Sequence, residues 1–89
     1  MTISRHVFYS GQVQGVGFRY TALRLAQCHA VAGTVRNLAD GRVELVAEGE
    51  AAEVDRFLDA LRRHMAAYIA DVVAEDEPPR GLTDFHIEP

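Results

Sequence analysis

The sequence contains no lysine and no tryptophan, a single cysteine, only three prolines and no long apolar run. Each scarcity closes off a class of protein. With Cys28 alone, no internal disulfide can form, so a covalently stapled scaffold is excluded and a reducing compartment is the expectation. No window approaches the ~20 apolar residues that a membrane-spanning helix needs. The segment Met1 to Val7 carries no signal-peptide pattern, and a cytoplasmic protein is expected. All nine basic side chains are arginine, set against 13 acidic ones, for a formal net charge of −4. That balance argues against a nucleic-acid or acidic-membrane partner, which calls for a basic excess. It also means that any anion site must rest on arginine or on backbone N–H groups, strongly enough to overcome a repelling overall field.

What is present suits one small globular domain, residues 1–89, with ordinary apolar and charged content, and a monomer is expected. Arg5 to Ser10 is a short β-prone run ended by glycine. Gly11 to Gly17 reads as a loop. From Phe18 to about His29, Phe18, Ala22, Leu25 and Ala26 share one helical face, with Thr21 and Arg24 opposite. Ala32 to Leu38 and Arg42 to Gly49 flank Ala39-Asp40-Gly41, a strong hairpin signal. In the second run Val43, Leu45 and Ala47 alternate with Glu44, Val46 and Glu48, the pattern of a half-buried strand with exposed acids.

Glu50 to about Ala66 places Val54, Phe57, Leu58, Leu61 and Met65 on one stripe. Acidic residues lie in its first turns, and Arg62, Arg63 and His64 near its end suit the helix dipole. Tyr68 to Glu77 reads as a strand whose Ile69 and Val72 break strict alternation, which suggests a bulge or a late start. After the Pro78-Pro79-Arg80-Gly81 turn, Leu82 to Glu88 is a last short strand. The order β-α-β-β-α-β plus a terminal strand predicts an α+β, ferredoxin-like split βαβ sandwich: an antiparallel sheet with both helices on one face.

The stretch Ser10-Gly11-Gln12-Val13-Gln14-Gly15-Val16-Gly17-Phe18-Arg19 is the most informative. Its three glycines let successive N–H groups turn inward, and it runs into a helix N-terminus, where unpartnered N–H groups favour an anion. Arg19 in the first turn can add a two-pronged charged contact. The glycine pattern alone suits equally well a turn that merely lets strand and helix pack. It lacks the Gly-Lys-Ser/Thr ending of a P-loop and the parallel βαβ context of a dinucleotide fingerprint. Asn37 alone reads as a turn residue beside Asp40-Gly41.

Gly11-Gln12-Val13-Gln14-Gly15-Val16-Gly17-Phe18-Arg19 nonetheless resembles the signature of the acylphosphatase family. So does a second motif, Gly33-Thr34-Val35-Arg36-Asn37, followed by Asp40-Gly41-Arg42-Val43-Glu44 and Glu48-Gly49. With Phe85-x-Ile87, the resemblance spans nearly the whole chain. It implies an enzyme without metal or cofactor that cleaves small acyl phosphates to carboxylate and inorganic phosphate. By that resemblance Arg19 binds the phosphate and Asn37 positions the attacking water. The amides of Gly11, Gln12, Val13, Gln14, Gly15, Val16, Gly17 and Phe18 cradle the anion.

Two positions depart from the family pattern: Ala30 stands where a helix-ending glycine is usual, and Thr34 where tryptophan is. Ala30 implies a different helix ending or some strain.

Other candidates are weaker. His6, His29, His64 and His86 show no metal-ligand spacing. Cys28 reads as a small buried or half-buried thiol. Ser10 borders the loop and could donate to an anion, but has no partner base. Strand alternation points Arg36 to the other face from Asn37. The competing readings are a non-catalytic phosphate- or anion-binding module of the same fold and an RNA-binding domain. The second is disfavoured because the run Arg42 to Glu48 carries no stacking aromatic.

Overall fold

The computed structural model describes every residue from Met1 to Pro89. Strand β1 (Thr2–Gly11) leads through the glycine loop into helix α1 (Phe18–Ala26), and the hairpin β2 (Val31–Asn37) and β3 (Val43–Glu50) follows. Helix α2 (Ala51–His64), a single 3-10 turn at Ala66–Tyr68, strand β4 (Ile69–Glu77) and the three-residue strand β5 (Phe85–Ile87) complete the chain. The sheet order is β4-β1-β3-β2-β5. The four longer strands are mutually antiparallel neighbours, and β3 lies between β1 and β2, as the split βαβ pattern requires.

The terminal strand departs from the all-antiparallel expectation. It pairs with β2 in parallel, because the connection from β4 crosses the sheet from one edge to the other before the chain turns. Direction of pairing is not encoded in side-chain alternation, which reads the same either way.

Both helices lay their apolar stripes on one sheet face. Phe18, Ala22 and Ala26 of α1 and Val54, Phe57 and Leu61 of α2 meet Val7 and Tyr9 of β1, Val35 of β2, and Val43, Leu45 and Ala47 of β3. Met65 caps the cluster at one end and Val13 joins it from the loop. Each large side chain so buried contributes about 1.5–3 kcal/mol.

The opposite face is not left bare. The crossing segment between β4 and β5 passes under β3, so Val46 and Glu48 are buried and β3 is enclosed on both faces near that end. The expected half-buried strand with an exposed Glu48 is therefore corrected. The carboxylate of Glu48 accepts the N–H groups of Arg80 at 2.6 Å and Leu82 at 3.1 Å.

Strand β4 both starts late and carries an irregularity: the register shifts between Ser10 and Gly11, opposite Asp71 and Ile69. Helix α1 ends earlier than expected, in a run of turns through Ala30. No residue other than glycine has positive φ, so Ala30 avoids the left-handed ending altogether. Its N–H is taken instead by the carboxylate of Glu53 on α2, at 2.9 Å.

Candidate active site

Gly11 belongs to β1 rather than to the loop. A Cβ there would lie 2.6 Å from both the Ala70 nitrogen and the Tyr68 oxygen, so only glycine allows this approach. The next N–H, from Gln12, donates to the Tyr68 carbonyl at 2.9 Å. Gly11 and Gln12 thus join β1 to the start of β4, and the part of the loop free to receive a ligand begins at Val13.

From Val13 to Tyr20 no backbone N–H has an acceptor in the protein; Thr21, donating to the Gly17 carbonyl at 2.9 Å, is the first that does. Gly15 and Gly17 turn this stretch, with φ of 77° and 80°. Gly17 is also the residue that caps α1, and it offers no side chain to the first-turn amides. No acidic residue lies in that turn either. The result is a run of unsatisfied donors leading into the positive end of a helix.

Two side chains hold the loop in place. Val13 is fully buried in the core. Gln14 donates through Nε2 to the carbonyls of Leu38 at 2.8 Å and Arg42 at 3.0 Å. The second contact fastens the loop to the β2–β3 hairpin and so to Asn37, which ends β2.

A pocket of about 220 Å³ opens where these elements meet, lined by Val13, Gly15, Gly17, Phe18, Arg19, Tyr20, Asn37 and Ile87. Arg19 is its only charged side chain. Seven of the arginines, Arg5, Arg36, Arg42, Arg56, Arg62, Arg63 and Arg80, pair with carboxylates, whereas Arg19 pairs with none. Asn37 shares its sheet face with Val35, two residues back, and its Oδ1 is buried with no hydrogen-bond partner. An orphaned buried acceptor costs about 1–3 kcal/mol, so its placement beside a pocket carries chemical meaning. Arg36 turns to the other face and pairs with Glu44, as alternation predicts.

The pocket therefore brings together Arg19, Asn37 and the loop from Val13 onward, and leaves Gly11, Gln12, Gln14 and Val16 outside its lining. Ser10 also lies outside, paired with Asp71 in the sheet. Cys28 is exposed in the turn after α1, not buried as its residue type suggests, and its thiol reaches only the Arg24 carbonyl. The histidines stand apart from the pocket: His6 lies between Glu44 and Glu77, and His29 lies near Glu53. His64 contacts the Ala60 carbonyl, and His86 lies near Asp84 and Glu88.

Sequence reasoning missed Tyr20, Ile87 and the side-chain role of Gln14. The Phe85-x-Ile87 alternation marks a strand but not its neighbour; only parallel pairing of Ile87 with Val35 brings it beside Asn37.

Comparison with known proteins identifies the family. A family model described as acylphosphatase matches residues 5–87. The chain is 48% identical over 86 residues to an acylphosphatase of Moorella thermoacetica, covering 96% of this chain and 92% of that one. It is 45% identical over 84 residues to an acylphosphatase of Treponema denticola, covering 93% and 89%. Its fold superimposes on the crystal structure of acylphosphatase from Bacillus subtilis with a TM-score of 0.89 and 30% identity, across the whole of both chains. A match of this length and closeness, in a chain whose two motifs meet at one pocket, places the protein in the acylphosphatase family of hydrolases.

Proposed function

We propose that this chain hydrolyses small acyl phosphates through the pocket at Arg19 and Asn37. The observation that carries the reading is the pairing of opposites in one small space. Residues with unpaired donors, Arg19 and the loop and first-turn residues Val13, Gly15, Gly17, Phe18 and Tyr20, line the same pocket as Asn37, whose Oδ1 is an unpaired acceptor. A phosphoryl group needs the donors; an attacking water needs the acceptor.

The amides and the two-pronged Arg19 hold the equatorial phosphoryl oxygens and neutralise charge as it redistributes. Asn37 Oδ1 accepts a hydrogen bond from one O–H of a water and so points a lone pair of that water at phosphorus. The water oxygen forms a bond to phosphorus as the bond to the carboxyl oxygen breaks. The bonding pair leaves with the carboxylate, and the water proton passes to a phosphoryl oxygen of the product. Because the conjugate acid of the leaving group has a pKa of about 4, no general acid is needed. Arg19 and the amides supply the positive charge locally, which supports turnover without a metal ion.

Benzoyl phosphate hydrolysis in excess EDTA tests the reading in the wild type, Arg19→Ala and Asn37→Ala. Turnover should survive EDTA and fall at least about 10²–10³-fold in each variant. Arg19→Lys should recover little, since an ammonium keeps the charge but not the fork. A folded wild type that binds inorganic phosphate without turning over the substrate would replace this reading with that of an anion-binding module.

A further inference from the structure

Tyr20 has no structural reason to be aromatic. It is 61% exposed in the first turn of α1. The ring pairs of the molecule are His6–Phe8, Tyr9–Phe18, His29–Phe57 and Phe57–Phe85, and Tyr20 belongs to none. Yet it lines the same pocket as Arg19 and Asn37. A large exposed ring in the lining of a pocket offers an apolar surface with a polar tip to whatever projects from that pocket.

The direction of projection follows from the reaction proposed above. Attack at phosphorus is roughly in line, so the acyl oxygen leaves on the side opposite the water. The water-holding group, Asn37, comes from the sheet, with Ile87 of the neighbouring strand β5 beside it. The start of α1, where Tyr20 stands, supplies another part of the lining. The acyl group meets no second charge on its way, because Arg19 is the only charged residue among those lining the pocket.

We propose that Tyr20 is a specificity-determining residue whose ring packs against the acyl group, so that the site favours uncharged, apolar and preferably ring-sized acyl phosphates. This rests on the hydrolytic reading for the direction of the acyl group, and its test is separable from that reading.

The test compares kcat/KM for benzoyl phosphate and acetyl phosphate in the wild type, Tyr20→Phe and Tyr20→Ala. Taking the ratio of the two substrates within each protein, and comparing ratios between proteins, cancels their different intrinsic reactivity. The benzoyl-to-acetyl ratio should hold in Tyr20→Phe and fall about fivefold in Tyr20→Ala, the scale of one lost aromatic contact. Competitive inhibition by inorganic phosphate, which has no acyl group, should stay within twofold. A ratio unchanged in Tyr20→Ala, or an equal fall on both substrates, overturns the proposal. A parallel titration uses the two phosphonates in which CH2 replaces the bridging oxygen, bound without turnover. Their affinity ratio should shift as the kinetic ratio does. If it shifts while neither acyl phosphate is hydrolysed, the hydrolytic reading falls and the contact with Tyr20 stands.

Discussion

At Gly17 the backbone sits at φ 80° with nothing within 4 Å of where a Cβ would be, whereas at Gly33 a Cβ would lie 1.9 Å from the Val46 carbonyl oxygen. The first glycine is required by dihedral angle, the second by contact. Gly17→Ala should lower the free energy of unfolding by about 1 kcal/mol, the strain of a left-handed alanine. Gly33→Ala must force β2 from β3 and disturb the Phe85 ring, 3.0 Å from the same Cβ, and should lose about 3 kcal/mol. Urea unfolding of the two variants measures the difference, and equal losses would contradict the distinction. Sequence alone makes the first glycine readable, because glycine at the entry to a helix suggests a turn. The second stands in a strand, and the oxygen that excludes a side chain there belongs to a residue 13 positions away, which no local pattern reveals. The same limit hid Tyr20 and the clamp from Gln14 to the hairpin carbonyls, while Arg19 and Asn37 were legible through motifs long enough to be specific.

Among the elements, the hairpin and both helices follow from periodicity and turn residues, since their signals are local. The crossing from β4 to β5 does not. It is held through Glu48, whose type and strand position suggest a solvated acid, and which is 3% exposed. Burial by itself would raise the pKa of this carboxyl, but the N–H groups of Arg80 and Leu82 outweigh it and hold the value below the usual carboxylate range. A lowered folded-state pKa means stability that is present above the unfolded value, about 4.3, and lost as pH falls through the folded one. Glu48→Gln should therefore lower stability by about 1.5–3 kcal/mol near neutral pH, the scale of hydrogen bonds to a charged group. The gap to the wild type should close as acid protonates Glu48. Urea midpoints measured from about pH 7 to about pH 3 check this, and a gap independent of pH would contradict the role given to the carboxylate.

Over the whole molecule, the candidate site draws on three separated stretches of chain: the loop and first turn of α1, the end of β2, and Ile87 in β5. The last of these docks through three residue pairs only, Gly33 with Phe85, Thr34 with His86 and Val35 with Ile87. So small a parallel attachment has no local hairpin to nucleate it and must wait for β2 to be in place. The bulk of the secondary structure, by contrast, lies in the two helices and the four longer strands. On dilution from denaturant, the far-ultraviolet circular dichroism signal should recover ahead of benzoyl phosphate turnover, the delay marking the arrival of β5. Simultaneous recovery in a stopped-flow comparison would contradict that order. If the order holds, hydrolysis reports the finished molecule alone, and intermediates that look native by their helices and longer strands are catalytically silent.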